Sequence, residues 1–190
     1  ISRYNSKAGD WSEDSGSFYV DEDDLGRYGG SGRWVQDQKG WWYAFDTGGY
    51  PSSCWKQING AWYYFNNSGY ILTGWQRLDG DWYYLNPSGA MTTGWQAING
   101  QWYHMNSSGV MQTGWQAVNG RWYYMNSSGA MQTGWQRLNG QWYYLDPSGA
   151  MLTGWQAING KWYYLGSNGV MYANTTTPDG RYVDGSGALQ

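Results

Sequence analysis

A chain of 190 residues in which Leu, Ile, Val and Phe together number 23 is too poor in aliphatics for an ordinary core, yet at 20% aromatic and 13% charged it is equally unlike a disordered chain. Its apolar surface has to come from 16 Trp and 19 Tyr, and 30 Gly imply a backbone that turns often instead of forming long helices. A formal charge of −3 with 11 scattered Lys and Arg gives no basic footprint for nucleic acid or an anionic membrane. No run of about 18 apolar residues is present to span a bilayer, and the single Cys54 excludes an internal disulfide and a cysteine-built metal site.

Residues 1–33 hold seven of the 14 acidic residues, including both Glu, and show no clear repeat. They read as an acidic leader or a degenerate N-terminal segment, in which the seven-residue spacing of Trp11 and Phe18 hints at a worn hairpin. The run Asp21-Glu22-Asp23-Asp24 lacks the spacing and glycine of a calcium loop and reads as solvated loop. The chain starts at Ile1 with neither Met nor a charged-then-apolar signal segment, which suggests a processed or trimmed product.

Over residues 34–172 the sequence repeats with a period of 20. Trp55, Trp75, Trp95, Trp115, Trp135 and Trp155 mark six regular units, and a second Trp follows each by seven places, at Trp62, Trp82, Trp102, Trp122, Trp142 and Trp162. Residues 34–54 form a weaker unit: Trp34 stands one place early, Val35 takes the Trp position, and Ala44, Pro51 and Cys54 replace a Tyr, the Met-type residue and a Gly.

Within each regular unit an Asn-Gly or Asp-Gly pair separates two alternating apolar runs, the strongest short-range sign of a hairpin with a type I′ turn. A second cluster, such as Asn86-Pro87-Ser88-Gly89, is turn chemistry that links one hairpin to the next. A lone hairpin is marginal in water, so units this small bury their aromatic surface on their neighbours, which predicts an all-β solenoid of stacked hairpins. Residues 173–190 carry turn signals at Pro178-Asp179-Gly180 and Asp184-Gly185 and are expected to cap the stack.

Catalytic chemistry finds little material here. The repeats contain no Glu for a sugar-hydrolysing acid and base pair, and their aspartates fall at turn positions: Asp79 in a hairpin turn, Asp46 and Asp146 at the position of Asn66. His104 is the sole histidine and stands where other units have their second Tyr, so neither a triad nor a histidine metal cluster can be assembled. Cys54 replaces a repeat glycine, and the Gly-rich stretches are all claimed by turns. No catalytic residue, metal or cofactor is expected.

What remains is the aromatic array. In the hairpin from Trp75 to Leu85, strand alternation puts Trp75, Trp82 and Tyr84 on one face and Leu78, Tyr83 and Leu85 on the other, with Met91 arriving at the junction to the next unit. Two indoles and a neighbour's aromatic ring can wall in a quaternary ammonium group, held by the negative ring faces without a full anionic charge. The same rings can equally pack a core; a narrow stack leaves some of them exposed, and an exposed aromatic patch marks a binding site.

The unit Gly74-Trp75-Gln76-Arg77-Leu78-Asp79-Gly80-Asp81-Trp82-Tyr83-Tyr84-Leu85-Asn86-Pro87-Ser88-Gly89-Ala90-Met91 resembles the cell-wall-binding repeat of the choline-binding proteins of pneumococci and their phages. The resemblance covers residues 34–172, and the terminal segment is similar to that family's ending. It implies a left-handed β-solenoid that binds choline or phosphocholine of teichoic and lipoteichoic acids between consecutive hairpins, each site caged by two Trp of one repeat and a Tyr of the next, often beside a Met.

Carried onto this chain, with alternation selecting the second Tyr, the regular cages are Trp95, Trp102 and Tyr124 with Met111; Trp115, Trp122 and Tyr144 with Met131; and Trp135, Trp142 and Tyr164 with Met151. Trp55, Trp62 and Tyr84 form another, with Ile71 in the Met position, and Trp75 and Trp82 with Met91 would be completed by His104. The first unit, with Trp34 or Trp41 beside Trp42 and Tyr64, departs most from the pattern.

The resulting expectation is a non-catalytic module of a secreted protein, attached to the bacterial cell wall and surface, without nucleic-acid contact or membrane insertion. Family members often dimerise, which would engage the C-terminal hairpin. The alternatives are a carbohydrate- or receptor-binding repeat of the toxin or glucan-binding type, and the anchoring fragment of a cell-wall hydrolase.

Overall fold

The computed structural model describes residues 31–190, so the readings of the acidic leader lie outside the described residues. Among these residues there is no helix, and strands pair two by two in chain order. The first four hairpins are β1 (Gly32–Asp37) with β2 (Gly40–Phe45), β3 (Cys54–Ile58) with β4 (Ala61–Phe65), β5 (Gly74–Leu78) with β6 (Asp81–Leu85), and β7 (Gly94–Ile98) with β8 (Gln101–Met105). The others are β9 (Gly114–Val118) with β10 (Arg121–Met125), β11 (Gly134–Leu138) with β12 (Gln141–Leu145), β13 (Gly154–Ile158) with β14 (Lys161–Leu165), and β15 (Thr175–Thr176) with β16 (Tyr182–Val183). The described residues fall into two compact units, one running to Gln96 and including Met105–Met111, the other comprising Ala97–His104 and Gln112–Gln190.

The turns follow from backbone sterics. At Asn59, Asp79, Asn99, Asn119, Asn139 and Asn159 φ is +48° to +52°, and at the glycine after each it is +75° to +97°. Both central positions of a type I′ turn need positive φ, which Asn, Asp and Gly tolerate and other residues resist. Between hairpins, the Asn86 side chain accepts from the Ser88 and Ala90 amides at 2.9 and 3.0 Å, and Asp146 does the same from Ser148 and Ala150 at 2.8 and 3.1 Å. Asp79 and Asp146 thus act in turns. Burial works against the Asp146 charge, but the bonds from Ser148 and Ala150 prevail and hold its carboxyl below the usual range.

Two-residue turns fix the pairing. Trp115 lies opposite Tyr124 and Ala117 opposite Trp122; the same holds for Trp55 and Tyr64, Trp75 and Tyr84, Trp135 and Tyr144, and Trp155 and Tyr164. Both Trp and the second Tyr therefore share a face, while the first Tyr and the last residue of the second strand share the other. That last residue is the centre of the core: Phe65, Leu85, Met105, Met125, Leu145 and Leu165 are at most 1% exposed. Each burial stabilises the fold by about 1.5–3 kcal/mol, which is how a chain short of aliphatics still folds.

Hairpins stack through one recurring main-chain bond. In the first unit the amides of Ile71, Met91 and Met111 donate to the carbonyls of Trp41, Trp62 and Trp82 at 2.8–2.9 Å. In the second, Met131, Met151 and Met171 donate to Trp102, Trp122 and Trp142 at 2.8 Å, and Leu189 takes the same role at Trp162 at 2.9 Å. The side chains of Met91, Met131, Met151 and Met171 then lie over a turn glycine of the next repeat: a Cβ on Gly149 would sit 2.4 Å from Met131 Sδ, and one on Gly169 would sit 2.3 Å from Met151 Sδ. Those glycines, at φ +86° and +80°, are required by the turn and by the methionine together.

Candidate functional site

In β5–β6, β9–β10 and β11–β12 the two Trp share a face at diagonal positions and their rings meet edge to face. Ring centroids are 6.5 Å apart at 83° for Trp115 and Trp122, 6.2 Å at 90° for Trp135 and Trp142, and 6.3 Å at 84° for Trp75 and Trp82. The first indole of each pair is half-buried against the second Tyr of its own hairpin, at 5.1–5.3 Å. The second indole stands open: Trp82, Trp102, Trp122, Trp142 and Trp162 are 40–51% exposed. In these five hairpins the second indole is left about half exposed.

The ring that the next hairpin packs on the first indole is not the one that alternation selects for the third wall. The next hairpin meets Trp115 with Tyr143 at 5.0 Å, Trp135 with Tyr163 at 4.9 Å, and Trp55 with Tyr83 at 5.0 Å. These are the first tyrosines of their pairs. Tyr144, expected beside Trp115 and Trp122, packs instead on Trp135 in its own hairpin at 5.1 Å; Tyr84 packs likewise on Trp75 at 5.2 Å and Tyr164 on Trp155 at 5.3 Å. The reason is that the indole face of one hairpin rests on the opposite face of the next, and alternation within a single hairpin carries no information about which face its neighbour presents. Tyr-Tyr adjacency was the available signal; the direction of stacking was not.

The methionines shift in the same sense. The methionine whose main chain is tied to Trp122 is Met151, one repeat later than the expected Met131, which hangs on Trp102 and covers Gly149. Met91, expected with Trp75 and Trp82, has its amide on the Trp62 carbonyl and its side chain over Gly109. Met111 has its amide on Trp82.

The remaining predicted residues take their places by repeat position. Trp62 is half-buried on β4, Trp95 half-buried on β7, Trp102 exposed on β8, and Tyr124 lies against Trp115 at 5.3 Å. His104 is half-buried on β8, and burial pushes its imidazole pKa down, so it is neutral at pH 7. Tyr83 is 5% exposed; burial first, then the charges of Asp81 and Asp79, push its phenol up to about 12. It packs on Trp55 as an uncharged phenol.

The first hairpin builds no such pair. Trp34 lies opposite Tyr43 on the buried face and packs on Tyr43, Tyr63 and Phe65 at 5.3, 4.8 and 6.1 Å, while the outward partner of Trp42 is Val35. Its indole belongs to the cluster around Tyr43, Phe45, Ile58 and Phe65.

The arrangement is matched elsewhere. The profile of the family described as choline-binding repeat matches residues 52–93, 92–133 and 132–175. Choline-binding protein F of Streptococcus pneumoniae, solved in the presence of a peptidoglycan analogue, is similar with a TM-score of 0.79 and 40% identity over 84% of this chain. CbpJ of Streptococcus pneumoniae TIGR4 is similar with a TM-score of 0.79 and 42% identity over 84%, and CbpF in complex with ipratropium with 0.75 and 38% over 83%. This chain spans 58% of the length of each. No curated relative matches by sequence. With three consecutive matches reaching from residue 52 to residue 175, the chain belongs to the choline-binding repeat family.

Proposed function

We propose that this chain is a non-catalytic attachment module of the bacterial cell surface, holding the choline of teichoic and lipoteichoic acids in boxes formed by two perpendicular indoles and a tyrosine of the following hairpin. The observation that carries the reading is the half-exposed second indole, set 6.2–6.5 Å from its partner at nearly a right angle. In the second unit the boxes are Trp115, Trp122 and Tyr143, and Trp135, Trp142 and Tyr163; in the first, Trp55, Trp62 and Tyr83 form the equivalent set. The onium is held by ring quadrupoles and methyl contact, which suits walls without a formal charge. Ipratropium, soaked into the related CbpF, carries a quaternary ammonium group, which supports the same ligand class here.

Affinity follows from repetition. A cation–π contact contributes about 0.5–2 kcal/mol, and after association entropy one box nets about −4 kcal/mol, a Kd near about 1 mM. Several boxes on one polymer gain about 10²- to 10⁴-fold through effective concentration where spacing allows simultaneous engagement.

The test is a choline titration of the full chain followed by calorimetry and tryptophan fluorescence. The expected result is several equivalents bound at millimolar choline, a rise in Tm, and elution from a tertiary-amine resin by choline. Absence of heat, of quenching and of resin retention by a folded chain would overturn the proposal.

A further inference from the structure

The last regular hairpin has the same two indoles as its predecessors but a different neighbour. Trp155 lies opposite Tyr164 and Ala157 opposite Trp162, so both indoles occupy the face that carries the boxes elsewhere, and Trp162 is 51% exposed. In the boxes before it, a tyrosine of the following hairpin meets the first indole at 4.9–5.0 Å. For Trp155 no ring of the following hairpin is in contact among the described residues. The guanidinium carbon of Arg181 sits over the Trp155 ring, 5.5 Å from its centroid.

That guanidinium is held in position from the side. Asp179 Oδ2 accepts from Trp155 Nε1 at 3.0 Å and lies 3.4 Å from Arg181 Nε, so one carboxylate oxygen ties the indole edge to the cation above its face. The carboxylate is itself fixed, with Oδ1 2.5 Å from the hydroxyl of Thr177, a residue 3% exposed. Thr177 also pairs with Arg181 through the main chain at 2.8 Å and through its hydroxyl, 2.9 Å from the Arg181 carbonyl. The cap thus positions a cation on an indole of the box-bearing face.

We propose that the ring face of Trp155 is a further onium site which the chain fills with its own guanidinium, so that Arg181 acts as an internal ligand and Asp179 as its counter-ion. This rests on the choline reading of the other boxes. A planar cation on an indole face uses the same quadrupole attraction as trimethylammonium, and an occupant already tethered to the cap avoids the association entropy that a free ligand loses on binding. The consequence is that the terminal hairpin adds nothing to the choline count of the native chain and keeps an aromatic surface at the end of the repeats from standing empty.

The experiment is calorimetric choline stoichiometry of the full chain and of Arg181→Ala, Arg181→Gln and Arg181→Lys. Arg181→Ala and Arg181→Gln are each expected to bind one equivalent more than the native chain, and Arg181→Lys the native number. Arg181→Gln keeps most of the side-chain length and all the main-chain bonds at Thr177, so it reports even if the alanine variant loosens the cap. Adding Trp155→Ala to either should return the count to the native value, which locates the gain. A native chain that binds choline, together with folded Arg181 variants that bind the same number, overturns the internal-ligand proposal and leaves the other boxes standing. A native chain that binds no choline fails both.

Discussion

The hairpins β1–β2 and β11–β12 carry the same kind of residues and use them in opposite directions. Trp135 and Trp142 share the outward face at 6.2 Å, while Trp34 is turned inward onto Tyr43 and Tyr63. The cause is parity. Trp34 stands one place earlier in its unit than Trp135 does in its own, and with a side-chain period of two a single place exchanges faces. The turn also differs: Asp37 pairs with Gly40 around Gln38 and Lys39, where Leu138 pairs with Gln141 around Asn139 and Gly140. The turn centre therefore moves by one residue and the pairing slides by two, which preserves the faces but sets Trp34 opposite Tyr43, one step deeper than the strand end at Phe45. An indole becomes core or box by its place in the alternation and not by its chemistry.

The largest effect that can break this comparison comes from truncating each indole. Trp34→Ala removes a ring packed on three others, and thermal or denaturant unfolding should show a loss near the lower end of the about 3–5 kcal/mol of aromatic truncations, since Trp34 is only half-buried. The number of choline equivalents should stay unchanged. Trp122→Ala should do the reverse: a smaller stability loss, of about 0.5–1.5 kcal/mol for the one ring pair it forfeits, and one equivalent lost by calorimetry. Loss of an equivalent in Trp34→Ala would mean that the inward indole also serves a site, and the distinction between the two hairpins would fall.

A finer measurement sorts the tyrosines. Trp122→Ala combined with Tyr143→Ala should lose one equivalent, no more than Trp122→Ala alone, because Tyr143 meets Trp115 of the same box. Trp122→Ala combined with Tyr163→Ala should lose two, because Tyr163 belongs with Trp135. Equal losses from the two double variants would return the choice of wall to the second tyrosine of each pair.

Much of the architecture was legible because the period, the Asn-Gly turns and the two-residue alternation are local properties. Asn119 and Gly120 impose positive φ wherever they occur, and Trp115, Trp122 and Tyr124 must then share a face. The ring contact between hairpins was not legible: whether Tyr143 or Tyr144 reaches Trp115 depends on which face the next hairpin turns toward it, a relation between repeats that no property of one repeat contains. Asp179 and Arg181 show the same limit. As sequence they are turn residues, and only the return of the chain onto Trp155 makes them partners of an indole.

The smallest expected effect tests what sets the first pairing. Lys39→Asn creates an Asn-Gly pair at residues 39 and 40, aligned with Asn59-Gly60 and suited to a turn centred one residue later. Against it stand the Asp37 side chain, which accepts from the Lys39 amide at 2.8 Å and from the Tyr70 hydroxyl at 2.9 Å, and the three ring contacts of Trp34. Aromatic pairs contribute about 0.5–1.5 kcal/mol each beyond their burial, so three of them outweigh a preference at one exposed turn. The Trp34–Tyr43 cross-peak in a nuclear Overhauser spectrum should survive the substitution with little change in Tm. Were it replaced by a Trp34–Phe45 cross-peak, the turn and not the buried indole would govern the pairing, and the first hairpin would differ from the others by its loop chemistry rather than by the depth at which its tryptophan is held.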